Sequence, residues 1–137
     1  MGTVHTEITL KNPKDETRVE SGLIKPEEIR TATVSALVDT GAMSLVITEE
    51  LRQKLGLAIK GERSTLIADG RRIICKKTEG VEIHWKNRDT TLPALVVPGN
   101  KKILMGVIPL EAMDLMVNPV SQEVVGVHGD EELILLY

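Results

Sequence analysis

Aromatic residues are nearly missing from this chain of 137 residues, which has no Phe, one Trp (Trp85) and one Tyr (Tyr137). Its core must therefore be aliphatic, and the stacking platforms of a single-stranded nucleic-acid binder are not available. Cysteine is equally scarce. Cys75 stands alone, so no internal disulfide forms, and this fits a reducing, cytoplasmic setting. Positive charge is not in excess either: 17 Lys and Arg against 20 Asp and Glu give a net charge of −3. Such a balance leaves no electrostatic footprint for nucleic acid or an anionic membrane surface. No apolar run approaches the roughly 18 residues that cross a bilayer, and the first residues lack the basic-then-apolar pattern of a secretion signal. His5, His84 and His128 lie far apart without ligand spacing, so neither a metal nor a cofactor is expected.

What is present is Val, Ile and Leu in short runs, a composition that favours strands. The length suits one domain spanning residues 1–137. Residues 4–10 alternate and predict a first strand, which Asn12-Pro13 breaks. The charged segment 13–29 reads as a long connection with a short helical turn after Pro26. Residues 31–38 predict a buried strand and 45–47 a short one. Thr48 then caps a helix, with Glu49 and Glu50 in its first turn and Gly56 closing it. That placement explains the Glu pair without chemistry. Asp69-Gly70, between β-prone residues 64–68 and 71–76, signals a hairpin. Strands are predicted at 81–86 and 92–97 around a turn at 87–89, then at 103–105. Pro109 opens a short helix, and Val117, Val120, 124–127 and 133–136 suggest final strands.

The feature that carries chemistry is Asp39-Thr40-Gly41, which ends the apolar run 34–38. A strand here delivers a carboxylate to a tight turn. The triplet alone is a weak motif, and the chain holds only one. It is followed by Ala42, by Leu45-Val46-Ile47, by the Asp-Gly hairpin, by Leu95-Val96-Val97-Pro98-Gly99 and by Ile103-Leu104-Met105-Gly106 before a helix. This order resembles the retropepsin-like aspartic proteases, the retroviral proteases and their single-domain bacterial relatives, over roughly residues 31–119. The resemblance implies an all-β, closed barrel-like retropepsin (acid protease) fold with one or two short helices, active as a homodimer on a peptide or protein substrate. It makes Asp39 the catalytic carboxylate, one per protomer. Thr40 would bond across to the partner's loop, and Gly41 would admit the close approach of substrate backbone. Ala42, the hairpin tip Ala68, Asp69 and Gly70, and Met105 would contact substrate, the hairpin acting as a flap. Asp69 itself is explained by the hairpin tip, and Ala36, Ile47 and Leu104 read as core.

Two carboxylates in contact share one proton, as is known for aspartic proteases. The pair would activate a bridging water without metal or covalent intermediate. Three departures from the family pattern stand out. Ala42 lacks the hydroxyl of pepsin-like enzymes, which shifts the expected optimum to mildly acidic or near-neutral pH. Met43 and Val107 replace the Asp and Arg that form an ion pair in retroviral enzymes, which predicts a drier dimer contact. The flap is poorer in glycine and carries Arg71 and Arg72. The expected substrate is a peptide bond flanked by apolar side chains. The same residues admit a second reading, a non-catalytic dimerisation or peptide-binding module that keeps the fold.

Overall fold

In the computed structural model, which describes residues 3–67 and 69–133, β1 (His5–Lys11) runs antiparallel to β2 (Thr31–Val38), with His5 opposite Leu37. β2 has the bounds its sequence predicts. Ala32 and Ala36 are buried, whereas Thr31, Thr33 and Ser35 are exposed. Period two thus gives the strand a core face and an open face.

The charged segment between them is more ordered than its composition suggests. It forms α1 (Pro13–Glu20) and a 3-10 turn at Pro26–Glu28. Asn12 caps α1, its side-chain oxygen accepting from the Lys14 N–H at 2.9 Å, and Pro13 supplies the first helical position. The buried Asn12 amide also donates to the carbonyls of Leu55 at 2.8 Å and Gly56 at 3.4 Å. The residue pair that ends a strand therefore starts a helix and pins a second one.

β3 (Leu45–Ile47) leads into α2 (Glu49–Leu55), where Thr48 accepts from the Leu51 N–H at 3.1 Å and Gly56 closes the helix at φ 66°. β4 (Ile59–Leu66) and β5 (Arg72–Trp85) form a long hairpin. β5 runs 14 residues and fuses the predicted hairpin arm with the predicted next strand. The seam is a register shift between Lys77 and Gly80 against β6 (Arg88–Val96). There the buried Thr78 hydroxyl accepts from the Ala94 N–H at 3.0 Å and donates to the Glu79 carbonyl at 2.7 Å. A side chain replaces the missing ladder bond, so the strand continues through the irregularity.

β7 (Leu104–Met105), α3 (Val107–Ala112), β8 (Leu115–Asn118) and β9 (Glu123–Gly126) complete the described chain. α3 starts two residues before Pro109, and residues 134–136 of the predicted last strand lie outside the described residues. Arg88, read from sequence as part of a turn, is buried and donates to the carbonyls of Met113 at 3.0 Å and Asp114 at 2.7 Å. It ties the β8–β9 hairpin to the main sheet. That sheet has the order β1-β2-β7-β3-β6-β5-β4, and β1 also pairs with β5. The structure is thus mostly β-sheet with few short helices, around an aliphatic core that includes Ile8, Leu10, Leu45, Ile47 and Ile83. No described helix is long and apolar enough to cross a membrane.

Asp15 joins α1 to β2. Its buried carboxylate accepts from the Arg30 backbone N–H and Nε, both at 2.9 Å, and from Arg18 Nη1 at 2.7 Å. The Arg30 guanidinium holds this carboxyl well below the usual carboxylate range, and Arg18 adds to the effect. A depressed carboxyl stabilises the fold above its unfolded value near 3.9 and loses that contribution as pH falls toward its folded value. Asp15→Asn should therefore cost about 2 kcal/mol at pH 7, since both cations are partly solvated. Denaturant unfolding should show the gap to wild type narrowing steadily below about pH 4.

Candidate active site

Asp39 continues β2 by one residue, because its N–H donates to the Met105 carbonyl at 3.1 Å. Alternation then puts its side chain with Leu37 and Ser35 on the open face of the strand. The chain turns at once. Asp39 Oδ1 accepts from the Gly41 N–H at 2.9 Å, and the Ala42 N–H donates to the Asp39 carbonyl at 3.0 Å. A Cβ on Gly41 would stand 3.2 Å from that same Oδ1, so glycine keeps the carboxylate uncrowded. Asp39 is half-buried, and Thr40 and Gly41 are exposed.

The turn is braced from behind. Gly106 donates to the Ser44 carbonyl at 3.1 Å, Val107 to that of Ala42 at 2.9 Å, and Ile108 to that of Met43 at 2.9 Å. A Cβ on Gly106 would lie 2.5 Å from the Ala42 oxygen and 2.7 Å from the Met43 carbonyl carbon. Both obstacles are backbone. Glycine is needed at 106 for close approach, since its φ of −89° suits any residue. The two anchors of the sequence pattern, Asp39-Thr40-Gly41-Ala42 and Leu104-Met105-Gly106, are thus two sides of one contact.

Met105 holds Asp39 through its carbonyl while its side chain is fully buried, so a substrate contact by that side chain does not follow from this arrangement. Leu104, read as core, is instead half-buried and stands opposite Leu37 in register. A strand of two residues gave too little alternation to tell these faces apart.

The β4–β5 hairpin reverses around Ile67, Asp69, Gly70 and Arg71, with Gly70 at φ 87°. Ile67 donates to the Arg71 carbonyl at 3.0 Å, and Gly70 to the Ile67 carbonyl at 2.9 Å. Asp69 accepts from the Arg71 N–H at 2.9 Å and from its Nε at 2.6 Å, so its carboxylate is engaged in the turn. Ala68 lies outside the described residues. Leu66 and Ile74, on the two arms, are 67% and 59% exposed. Sequence reasoning placed both in the β-prone segments 64–68 and 71–76 without distinguishing them as exposed.

Two clefts bear on this region. One of about 360 Å³ is lined by Thr3, His5, Ser35, Leu37, Lys101, Lys102 and Ile103. It therefore includes open-face residues of the strand that carries Asp39. A larger cleft of about 620 Å³ opens at the root of the hairpin, between Ile74, Lys76 and the 97–101 loop, and contains none of residues 39–42. Glu49 on its wall is committed to Arg52, whose guanidinium pulls its carboxyl down to about 2. Among the described residues, no group of three or more His, Cys, Asp or Glu is placed to hold a metal ion.

A family model described as aspartyl protease matches residues 26–109, a span that contains the Asp39 turn, the hairpin and the Gly106 brace. No curated protein matches the chain.

The brace has a direct consequence for stability. Gly106→Ala should lower unfolding stability by roughly 2–4 kcal/mol, because two backbone segments must separate. Gly61→Ala is the control: a Cβ there meets only an Arg63 side-chain nitrogen at 3.7 Å. It should be neutral or slightly stabilising in thermal melts.

Proposed function

Because the chain belongs to the aspartyl protease family of the retropepsin-like clan, we propose that it is an endopeptidase whose active site forms when two copies bring their Asp39 side chains together. The observation that carries this reading is the Asp39 turn itself: a carboxylate on an open sheet face, fixed by backbone bonds on both sides, with exposed Thr40 and Gly41 beside it. One chain supplies one such carboxylate. A symmetric pair supplies two across a dyad.

Each half-site has a defined task. The ionised member of the pair removes a proton from a bridging water, whose oxygen attacks the scissile carbonyl carbon. The protonated member donates to the carbonyl oxygen. The tetrahedral gem-diol then collapses: the C–N bond breaks, the amine leaves with a proton from the pair, and one gem-diol hydroxyl passes its proton back to the pair as the carbonyl re-forms. One water and one peptide bond become a carboxylic acid and an amine, and the pair ends with the single proton it began with. Thr40 bonds to the partner's turn, and Gly41 and Ala42 present backbone to the bound peptide. The β4–β5 hairpin covers the substrate, Leu66 and Ile74 burying their exposed side chains against it and Gly70 allowing the tip to approach. Leu104 replaces Met105 as the side chain that faces the peptide.

The copy-to-copy contact is apolar where retroviral enzymes are charged. Met43 is 64% exposed and Ile108 is 41% exposed, and the two residues are joined by a backbone hydrogen bond. Their exposure next to the catalytic turn supports an interface at this place. In this reading Met43 supplies the drier contact expected in place of the retroviral ion pair, and Ile108 lies beside it.

The decisive comparison uses Asp39→Asn, which is isosteric and leaves the turn bond to Gly41 available. Wild type should cleave an unfolded protein substrate, best between mildly acidic and near-neutral pH. The variant should keep the same melting temperature and lose at least about 10³-fold in kcat/KM. Equal cleavage by both would refute the protease reading and leave the peptide-binding module.

A further inference from the structure

We propose that the cleft beside Asp39 selects acidic side chains of the substrate through Lys101 and Lys102, which makes this a protease of acidic peptide segments. This rests on the endopeptidase reading above and replaces the apolar preference that the sequence pattern suggested.

The cleft and the carboxylate share one strand face. Ser35, Leu37 and Asp39 alternate along the same side of β2, and Leu37 sits on the cleft wall. His5 lies opposite Leu37 in register on β1, and the Leu37 N–H donates to the Ile103 carbonyl at 2.8 Å. A peptide bound across Asp39 therefore places a neighbouring side chain over Leu37, between His5 and the 101–103 segment.

The charged groups of the lining have one sign: it contributes Lys101 and Lys102, and no acidic residue. Glu7, opposite Ser35 one step further along the same face of β1, is the nearest acid on that strand and lies outside the lining. Among the described residues neither lysine forms an ion pair. Both remain exposed, in contrast to Lys14, which is engaged by Glu79 at 2.9 Å.

The lysines also stand on a fixed loop. The Asn100 amide donates to the Lys102 carbonyl at 2.6 Å, its oxygen accepts from the Lys102 N–H at 3.1 Å, and its own N–H donates to the Val97 carbonyl at 3.1 Å. Two ammonium groups on an ordered loop meet a carboxylate with less loss of backbone freedom than a mobile loop would impose. Apolar Leu37 and Ile103 in the lining accommodate the methylenes of Glu, while its carboxylate reaches the lysines. Symmetry doubles the effect, since each protomer places one such cleft on its own side of the scissile bond.

The test is a set of synthetic peptides that share one cleaved sequence, with a single Glu moved through the positions on either side of the cut and compared with Gln at each. At pH 6 the Glu is ionised. Wild type should favour Glu over Gln in kcat/KM by about fivefold at one position on each side, and 0.5 M NaCl should shrink that ratio. Lys101→Gln/Lys102→Gln should cut the two peptides at similar rates, and Lys101→Glu/Lys102→Glu should reverse the preference toward Lys-containing peptides. A wild-type ratio near one, or a ratio unchanged in the double Gln variant, would overturn the acidic preference while the protease reading stands. No cleavage of any peptide by wild type would count against the protease itself and remove this proposal with it.

Discussion

At Gly106 two stretches of backbone lie closer than any side chain would allow, and the candidate site hangs on that approach. The Ala42 oxygen and the Met43 carbonyl carbon occupy the space a Cβ would need, and three hydrogen bonds from residues 106–108 lock residues 42–44 in place. From the other direction, the Met105 carbonyl receives the Asp39 N–H. The turn that carries the carboxylate is therefore held on both flanks by one short segment. This explains how a strand of two residues can sit at the middle of the main sheet, between β2 and β3. It also positions the carboxylate through backbone, which varies less in geometry than a side-chain support would.

The same economy governs the rest of the fold. With Trp85 as the single buried aromatic among the described residues, the core relies on aliphatic alternation along β1, β2 and β5. β5 starts as an arm of the exposed hairpin and carries that alternation into the core in its second half. The Thr78 hydroxyl makes the change possible by satisfying the Ala94 N–H where the ladder slips. The exposed hairpin is thus continuous with the core through a defined irregularity. Exposed Leu66 and Ile74 on this arm, like Met43 and Ile108 beside the turn, are apolar surfaces that a single chain leaves open to water.

Much of this was legible in the residues. The bounds of β2, the Thr48 and Gly56 caps of α2 and the Asp69-Gly70 hairpin all rest on local chemistry, where a few side chains determine the backbone. The parts that escaped depend on distant partners. Asn12-Pro13 reads as a break, yet the same pair is an N-cap and first helical residue, and the buried amide contacts of Asn12 lie more than 40 residues away. Arg88 looks like a turn residue until the carbonyls of Met113 and Asp114 are brought to it. Met105 is buried and Leu104 half-buried because their faces are set by neighbouring strands. Asp39 itself was visible, whereas the cleft near it is assembled from Thr3, His5, Leu37 and the 101–103 segment, which only the fold brings together.

The central claim is that the chemistry belongs to two copies of Asp39 acting as one unit. Mixing tests it most directly: wild type and Asp39→Asn are refolded together at fixed total concentration, and peptide cleavage is followed as the wild-type fraction falls. If each site needs both carboxylates, activity follows the square of that fraction, so an equal mixture keeps about one quarter of the full rate. A linear decline, with about half the rate left in the equal mixture, would mean that a single chain carries the whole site and would contradict the shared pair.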